Sequence, residues 1–285
     1  LELTLLPSDE TGYGITCFEA NDGVINTLVE GGNGGYTYAW VITGTDDVIS
    51  TDDSLSALEP GDYTLTVTDL NGCTAEDNFE ITEPDPIVIT EIISNNSGYG
   101  VTCNGYSDAS IWTDEIIDGE TANVVGGTGV YTYAWTVTGT TDVISTEQNL
   151  IGIAAGLYTL TVTDQNQCTE TENYEITEPP FAIVINAVES DENGWSMSCF
   201  EDGDGFINTD PTGGAGEFVF EWTITDTDNV ISTDQDLTGM GPGFYTVTIT
   251  DANGCNISED FEITEPPVLE LTLLPSDETG YGITC

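Results

Sequence analysis

Seven cysteines, 52 acidic residues and no Lys, Arg or His define the chemistry open to this chain of 285 residues. Thiols can oxidise to bridges or ligate metals, and carboxylates can hold hard cations. Without an imidazole or a side-chain amine there is no usual general base, and a Ser or Thr nucleophile lacks its activating partner. A carboxylate pair of glycosidase type is open to composition alone, but no pair stands out among the 52, so the chain reads as non-catalytic. Zinc is disfavoured as well, because the cysteines form no CxxC and no His accompanies them.

Six of the cysteines fall at fixed places in a frame that occurs three times. An aromatic strand ends at Trp40, Trp135 and Trp222, and 33 residues after each comes Cys73, Cys168 and Cys255. Each late cysteine follows a Thr-rich strand and an Asp-x-Asn turn: Asp69 to Asn71, Asp164 to Asn166, Asp251 to Asn253. An early cysteine precedes each aromatic strand, giving the expected pairs Cys17 with Cys73, Cys103 with Cys168, and Cys199 with Cys255. Bridges closing loops of 56 or 65 residues would stabilise each repeat by about 4 kcal/mol on the chain-entropy model. They imply an oxidising, exported setting. Residues 1–17 recur as 269–285, so Cys285 reads as the unpaired first cysteine of a fourth repeat in a longer tandem array. An internal segment of such an array carries no export signal or membrane span of its own.

The elements that position these residues are strands. Tyr36, Tyr38, Trp40 and Ile42 share one face of the aromatic strand, and Tyr63, Leu65 and Val67 alternate with threonines. Half-buried strands of this kind call for a second sheet, so the expected fold is all-β, a tandem array of β-sandwiches. The domains expected are 1–84, 85–179, 180–266 and the start of a fourth at 267–285. They join at Thr82-Glu83-Pro84, Thr177-Glu178-Pro179 and Thr264-Glu265-Pro266, short Pro-fixed spacers that should lay the repeats end to end as a rod.

Several residues invite a site reading. Asp22, Asp202 and Asp204 could hold Ca²⁺ or simply close tight turns; the twelfth position from Asp202 is Gly213, not the Glu of an EF-hand, which favours the turn. Some cation binding is nevertheless expected, because nothing else offsets the acid. The middle repeat has about nine extra residues within Ser110–Ala122, and Trp112 there is a candidate surface contact. The Tyr36 to Trp40 face could be a sugar platform, but its alternation reads as core. Gln167 replaces the turn glycine, which would put Asn166 in the left-handed conformation. Asp53-Ser54-Leu55 resembles a bacterial O-glycosylation motif, with Ser54 as acceptor.

The recurring Cys17, Asp22-Gly23, Gly31-Gly32, Tyr36-to-Trp40, Gly61-to-Cys73 and Ile81-to-Pro84 pattern resembles the SprB repeats of large cell-surface adhesins of gliding Bacteroidetes. The resemblance implies immunoglobulin-like sandwiches, type IX export and a place in an extracellular filament for attachment and gliding. Partners implied are neighbouring repeats, surface polysaccharide or other adhesin filaments. An array of carbohydrate-binding modules and a passive calcium-stiffened stalk are the alternatives. At a formal charge of −52, nucleic acid and anionic membranes should be repelled.

Overall fold

Tyr63, Leu65 and Val67 are buried while the threonines between them are half-exposed, and this one-sided strand sets the plan of the first module. A computed structural model describes residues 1–7 and 12–273. In the first module the strands are β1 (Glu2–Pro7), β2 (Gly23–Glu30), β3 (Thr37–Ile42), β4 (Val48–Ser50), β5 (Leu55–Leu58), β6 (Gly61–Thr68) and β7 (Thr74–Ile81). They form two antiparallel sheets, ordered β1-β2-β5 and β4-β3-β6-β7. Leu5, Ile25 and Leu55 from the first sheet meet Trp40, Leu65 and Val67 from the second in one core.

Two further features are those of an immunoglobulin-like sandwich. Trp40, on the third strand, is fully buried, and its Nε1–H donates to the Asp52 carbonyl at 3.0 Å. Tyr63, at the start of β6, donates its hydroxyl proton to the Glu59 carbonyl at 3.0 Å, the tyrosine-corner arrangement. Both recur: Trp135 and Trp222 donate to Glu147 and Asp234, and Tyr158 and Tyr245 donate to Ala154 and Gly241. Four-stranded sheets built on Thr132–Val137 and Val219–Ile224 repeat the β4-β3-β6-β7 order. The all-β, immunoglobulin-like expectation therefore holds at the level of each module.

The middle module shows where its extra residues go. The equivalent of β2 is split into Ala109–Trp112 and Asn123–Val125, and between the halves Ile116–Ile117 pairs with Glu120–Thr121 as a small hairpin. The Ala122 amide donates to the Glu115 carbonyl at 2.8 Å and closes its base. Thr113, just before it, is fully buried and is held by the Asn149 and Gln148 oxygens. Deleting Asp114–Thr121 and rejoining the split strand should therefore change the unfolding free energy by no more than about 1 kcal/mol, since exposed insertions contribute little. Urea titration followed by tryptophan fluorescence checks it.

By its contacts the chain divides into two compact units: Leu1–Ser94 with Ala109–Ile176, and Asn95–Asp108 with Thr177–Cys285. The loop Asn95–Asp108 of the middle module thus belongs with the third module's residues. Cys285 lies outside the described residues, as does most of the expected fourth start.

Candidate functional site

The cysteines sit on two loops of fixed construction, an entry loop between the first two strands of a module and an exit turn between its last two. The entry loop is held by the Ile-Thr-Glu-Pro motif that closes the module. Amides of Gly14 and Ile15 donate to the Thr82 carbonyl at 2.9 and 3.1 Å, and the Glu19 amide donates to the Glu83 carboxylate at 2.8 Å. Glu19 needs that anchor because it is held at φ +58°. In the second unit Gly105 and Glu201 donate in the same way to Glu178 and Glu265. By sequence these glutamates read as spacer residues; their recurrence beside the joint prolines is the available signal.

The exit turn is built around a buried aspartate. Asp164 accepts the Asn166 and Cys168 amides on Oδ1, both at 2.9 Å, and the Thr128 amide and hydroxyl on Oδ2 at 2.9 and 3.0 Å. Asp69 and Asp251 accept the matching amides in the other modules. The glycine pair that faces the turn is required here: a Cβ on Gly127, at φ +56°, would stand 2.7 Å from Asp164 Oδ2. In a chain with no side-chain cations, backbone N–H groups take over the neutralisation of carboxylates. The left-handed position of the middle turn is taken by Gln167 itself at φ +70°, not by Asn166 as the sequence suggested. Asn166 is committed elsewhere: its amide serves Asp164, and its Nδ2 donates to the Thr16 carbonyl at 3.0 Å.

That last contact shows what the loops do. In the first unit the exit turn of the middle module meets the entry loop of the first, and Cys17 is bridged to Cys168 with Cα atoms 5.6 Å apart. In the second unit Cys103 is bridged to Cys255 at 5.8 Å, and Asn253 Nδ2 donates to the Thr102 carbonyl at 2.9 Å. The expected pairs Cys17–Cys73, Cys103–Cys168 and Cys199–Cys255 are thus replaced by bridges from one module to the next. Cys73 and Cys199 are free and exposed.

The reason is geometric. Cys17's loop is fastened just past the end of β7, whereas Cys73 immediately precedes its start. Eight residues of strand at about 3.4 Å each put some 27 Å between them, and a bridge needs Cα atoms within about 7 Å.

The other candidates resolve individually. Asp22 Oδ1 accepts the Thr16 amide at 3.0 Å and its other oxygen accepts the Thr16 hydroxyl, while Asp204 accepts the Ser198 amide at 3.1 Å. Asp202 accepts the Ser198 hydroxyl at 2.9 Å. These are turn locks on the entry loop. Asp108 does the same for Thr102, a role the sequence hid because Ala109 replaces the usual glycine. Ca²⁺ takes six to eight oxygens, and among the described residues no three or more acidic, Cys or His groups stand close enough to hold a metal. Trp112 is half-buried, paired with Ile92 on its strand rather than displayed on the hairpin. Ser54 is half-buried just before β5, its hydroxyl directed at Asp53.

Three of these carboxylates should give the fold an acid-sensitive contribution to its stability. Amides of Cys73, then Asn33 and Asn71, hold the Asp69 carboxyl below the ordinary carboxylate range despite some desolvation. Asp22 is also lowered: partial burial pushes it up, but the Thr16 hydroxyl and amide outweigh this. Asp204 is lowered as well, by its hydrogen bonding to Ser198. A carboxyl depressed on folding contributes stability that is present above its unfolded value and lost as pH falls through the folded one. The melting temperature should therefore hold down to about pH 4 and drop below it, and Asp69→Asn should flatten that drop. Scanning calorimetry between pH 2 and 7 reads both.

The model of the SprB repeat family matches residues 15–41, which run from the entry loop to one residue past the buried Trp40. No curated protein matches the chain in sequence. Among solved structures, a chain of a 1.5-MDa bacterial ice-binding adhesin aligns at 14% identity and TM-score 0.40, covering 94% of this chain and 98% of that one. A Ca²⁺-stabilised ice-binding adhesin of an Antarctic bacterium aligns at 15% identity and TM-score 0.32, over 92% of this chain and 73% of that one. The N-terminal eight immunoglobulin domains of Down syndrome cell adhesion molecule align at 13% and 0.38, over 81% and 33%.

Proposed function

We propose that the chain is a force-carrying segment of an extracellular surface adhesin of the SprB-repeat kind. The observation that carries this is the interleaving of the two bridges. Cys103 lies inside the loop closed by Cys17–Cys168, and Cys168 lies inside the loop closed by Cys103–Cys255. The covalent path from Cys17 to Cys255 is consequently triple. One branch follows the backbone from Cys17 to Cys103 and crosses to Cys255; a second crosses to Cys168 and follows the backbone on to Cys255; the third crosses to Cys168, runs back along the backbone to Cys103 and crosses to Cys255. The three backbone stretches are 86, 65 and 87 residues long, so the middle one, Cys103 to Cys168, draws taut first and the other two hold the ends together if it is cut. A single backbone cut anywhere between residues 18 and 254 leaves the ends joined.

This arrangement suits a chain exposed to drag and to proteases, as does the absence of Lys and Arg, which leaves trypsin-like enzymes no site. Disulfides persist in oxidising, extracellular settings. The Pro-fixed joints and module-to-module bridges support an extended filament, and the family match supports attachment to surfaces, with gliding and type IX export as its finer expectation. A carbohydrate-binding array has less behind it, because the Trp40, Trp135 and Trp222 indoles are buried in the module cores.

Single-molecule stretching from the two ends tests the reading. The oxidised chain should extend by about 170 residues less than the reduced chain, on the order of 600 Å at 3.3–3.6 Å per residue. Equal extension before and after reduction would overturn it.

A further inference from the structure

Two halves of the junction lie open on this chain. Cys73 and Asn71 on the first exit turn are exposed, as are Ser198 and Cys199 on the last entry loop. Apart from Thr16, which is exposed, their counterparts in the complete junctions are less exposed: Cys17, Thr102, Asn166, Cys168, Asn253 and Cys255 are half-buried, and Cys103 is buried. Both open halves already carry the scaffold found at the closed ones. Asp69 accepts the Asn71 and Cys73 amides as Asp164 does for Asn166 and Cys168, and Glu265 holds the Glu201 amide as Glu83 holds that of Glu19. Leu70 beside the first and Phe200 beside the second are 74% and 42% exposed.

We infer that these halves are the two sides of one further junction, and that the entry loop carrying Cys199 docks the Cys73 exit turn of a second copy of this chain. The argument is continuity with an interface the molecule makes twice. In each complete junction an exit-turn asparagine donates to the carbonyl of the residue before the entry-loop cysteine, and the cysteines bridge. Asn71 would donate to the Ser198 carbonyl and Cys73 would bridge to Cys199. The surface is heterologous, so it propagates head to tail rather than closing a symmetric dimer. In a tandem array the same junction would be met by a neighbouring module.

The covalent step is thiol–disulfide exchange with a small-molecule disulfide such as oxidised glutathione. One protein thiolate attacks the oxidant, releasing one small thiol as a mixed disulfide forms. The second protein thiolate then attacks that mixed disulfide, forming the Cys73–Cys199 bond and releasing the other small thiol. The two electrons and two protons lost by the cysteines leave with the two small thiols. Both surfaces are acidic, so docking needs salt; at 1 M the Debye length falls to about 3 Å.

The test uses the full chain carrying Cys285→Ser, incubated with a glutathione redox buffer at high ionic strength, with products separated without reductant and mapped by mass spectrometry. The expected result is a ladder of multimers linked by Cys199 of one copy to Cys73 of the next, lost in Cys73→Ser and reduced in Asn71→Ala. Cys73 and Cys199 left reduced, or a mixture dominated by Cys73–Cys73 and Cys199–Cys199 pairs, would overturn the inference. It rests on the two bridges and not on the adhesive role, so its failure would leave the stretching result standing.

Discussion

Cys168→Ser should destabilise the first unit by several kcal/mol, while Cys73→Ser should leave its stability unchanged. The bridge from Cys17 to Cys168 spans 151 positions, and the chain-entropy relation puts the closure of so long a loop at about 5 kcal/mol. Native strain and residual unfolded-state order will lower that figure, so roughly 2–5 kcal/mol is the expected loss. Cys17→Ser should match Cys168→Ser, because either substitution removes the same bond. Were the bridges confined within modules, Cys73→Ser would instead be as damaging as Cys17→Ser. Guanidinium unfolding of the four proteins, oxidised, separates the cases. Reduction of the parent chain should reproduce the Cys168→Ser midpoint for the first unit.

Trp135→Ala should cost about 3–5 kcal/mol, the range for removing a fully buried aromatic side chain. The indole is 0% exposed, donates to the Glu147 carbonyl at 3.0 Å and lies 5.6 Å from the Tyr174 ring, centroid to centroid. Trp135→Phe should cost less but not be neutral, because the Glu147 carbonyl loses its donor. Trp222→Ala should behave in the same way, its indole being bonded to Asp234 and facing Phe261 at 6.0 Å. Thermal unfolding of each variant measures the loss. A sugar-stacking role for the indole would leave stability almost untouched and change glycan binding instead.

Much of this molecule is legible in its sequence because side-chain alternation reports burial directly. The threonines opposite Tyr63, Leu65 and Val67 marked which face is core, and the glycine spacing marked where the middle module carries an insertion. The bridge pairing was obscured because a constant spacing of cysteines is equally compatible with bonds inside a repeat and bonds between repeats. Strand counting resolves it. Between Cys17 and Cys73 the chain runs through β2 to β6, five antiparallel strands, and an odd number of traverses leaves the two cysteines at opposite ends of the sandwich. The roles of Glu83, Glu178 and Glu265 escaped for another reason. Each works through a backbone amide of a loop 64 to 73 residues earlier, and no residue type at that amide signals the contact.

The most direct test of the module-to-module bridges is a disulfide map of the unreduced full chain, cut with an acid-specific protease because no basic residue is present. Cys17 should be recovered joined to Cys168 and Cys103 joined to Cys255. Recovery of Cys17 joined to Cys73, with Cys103 joined to Cys168, would contradict them.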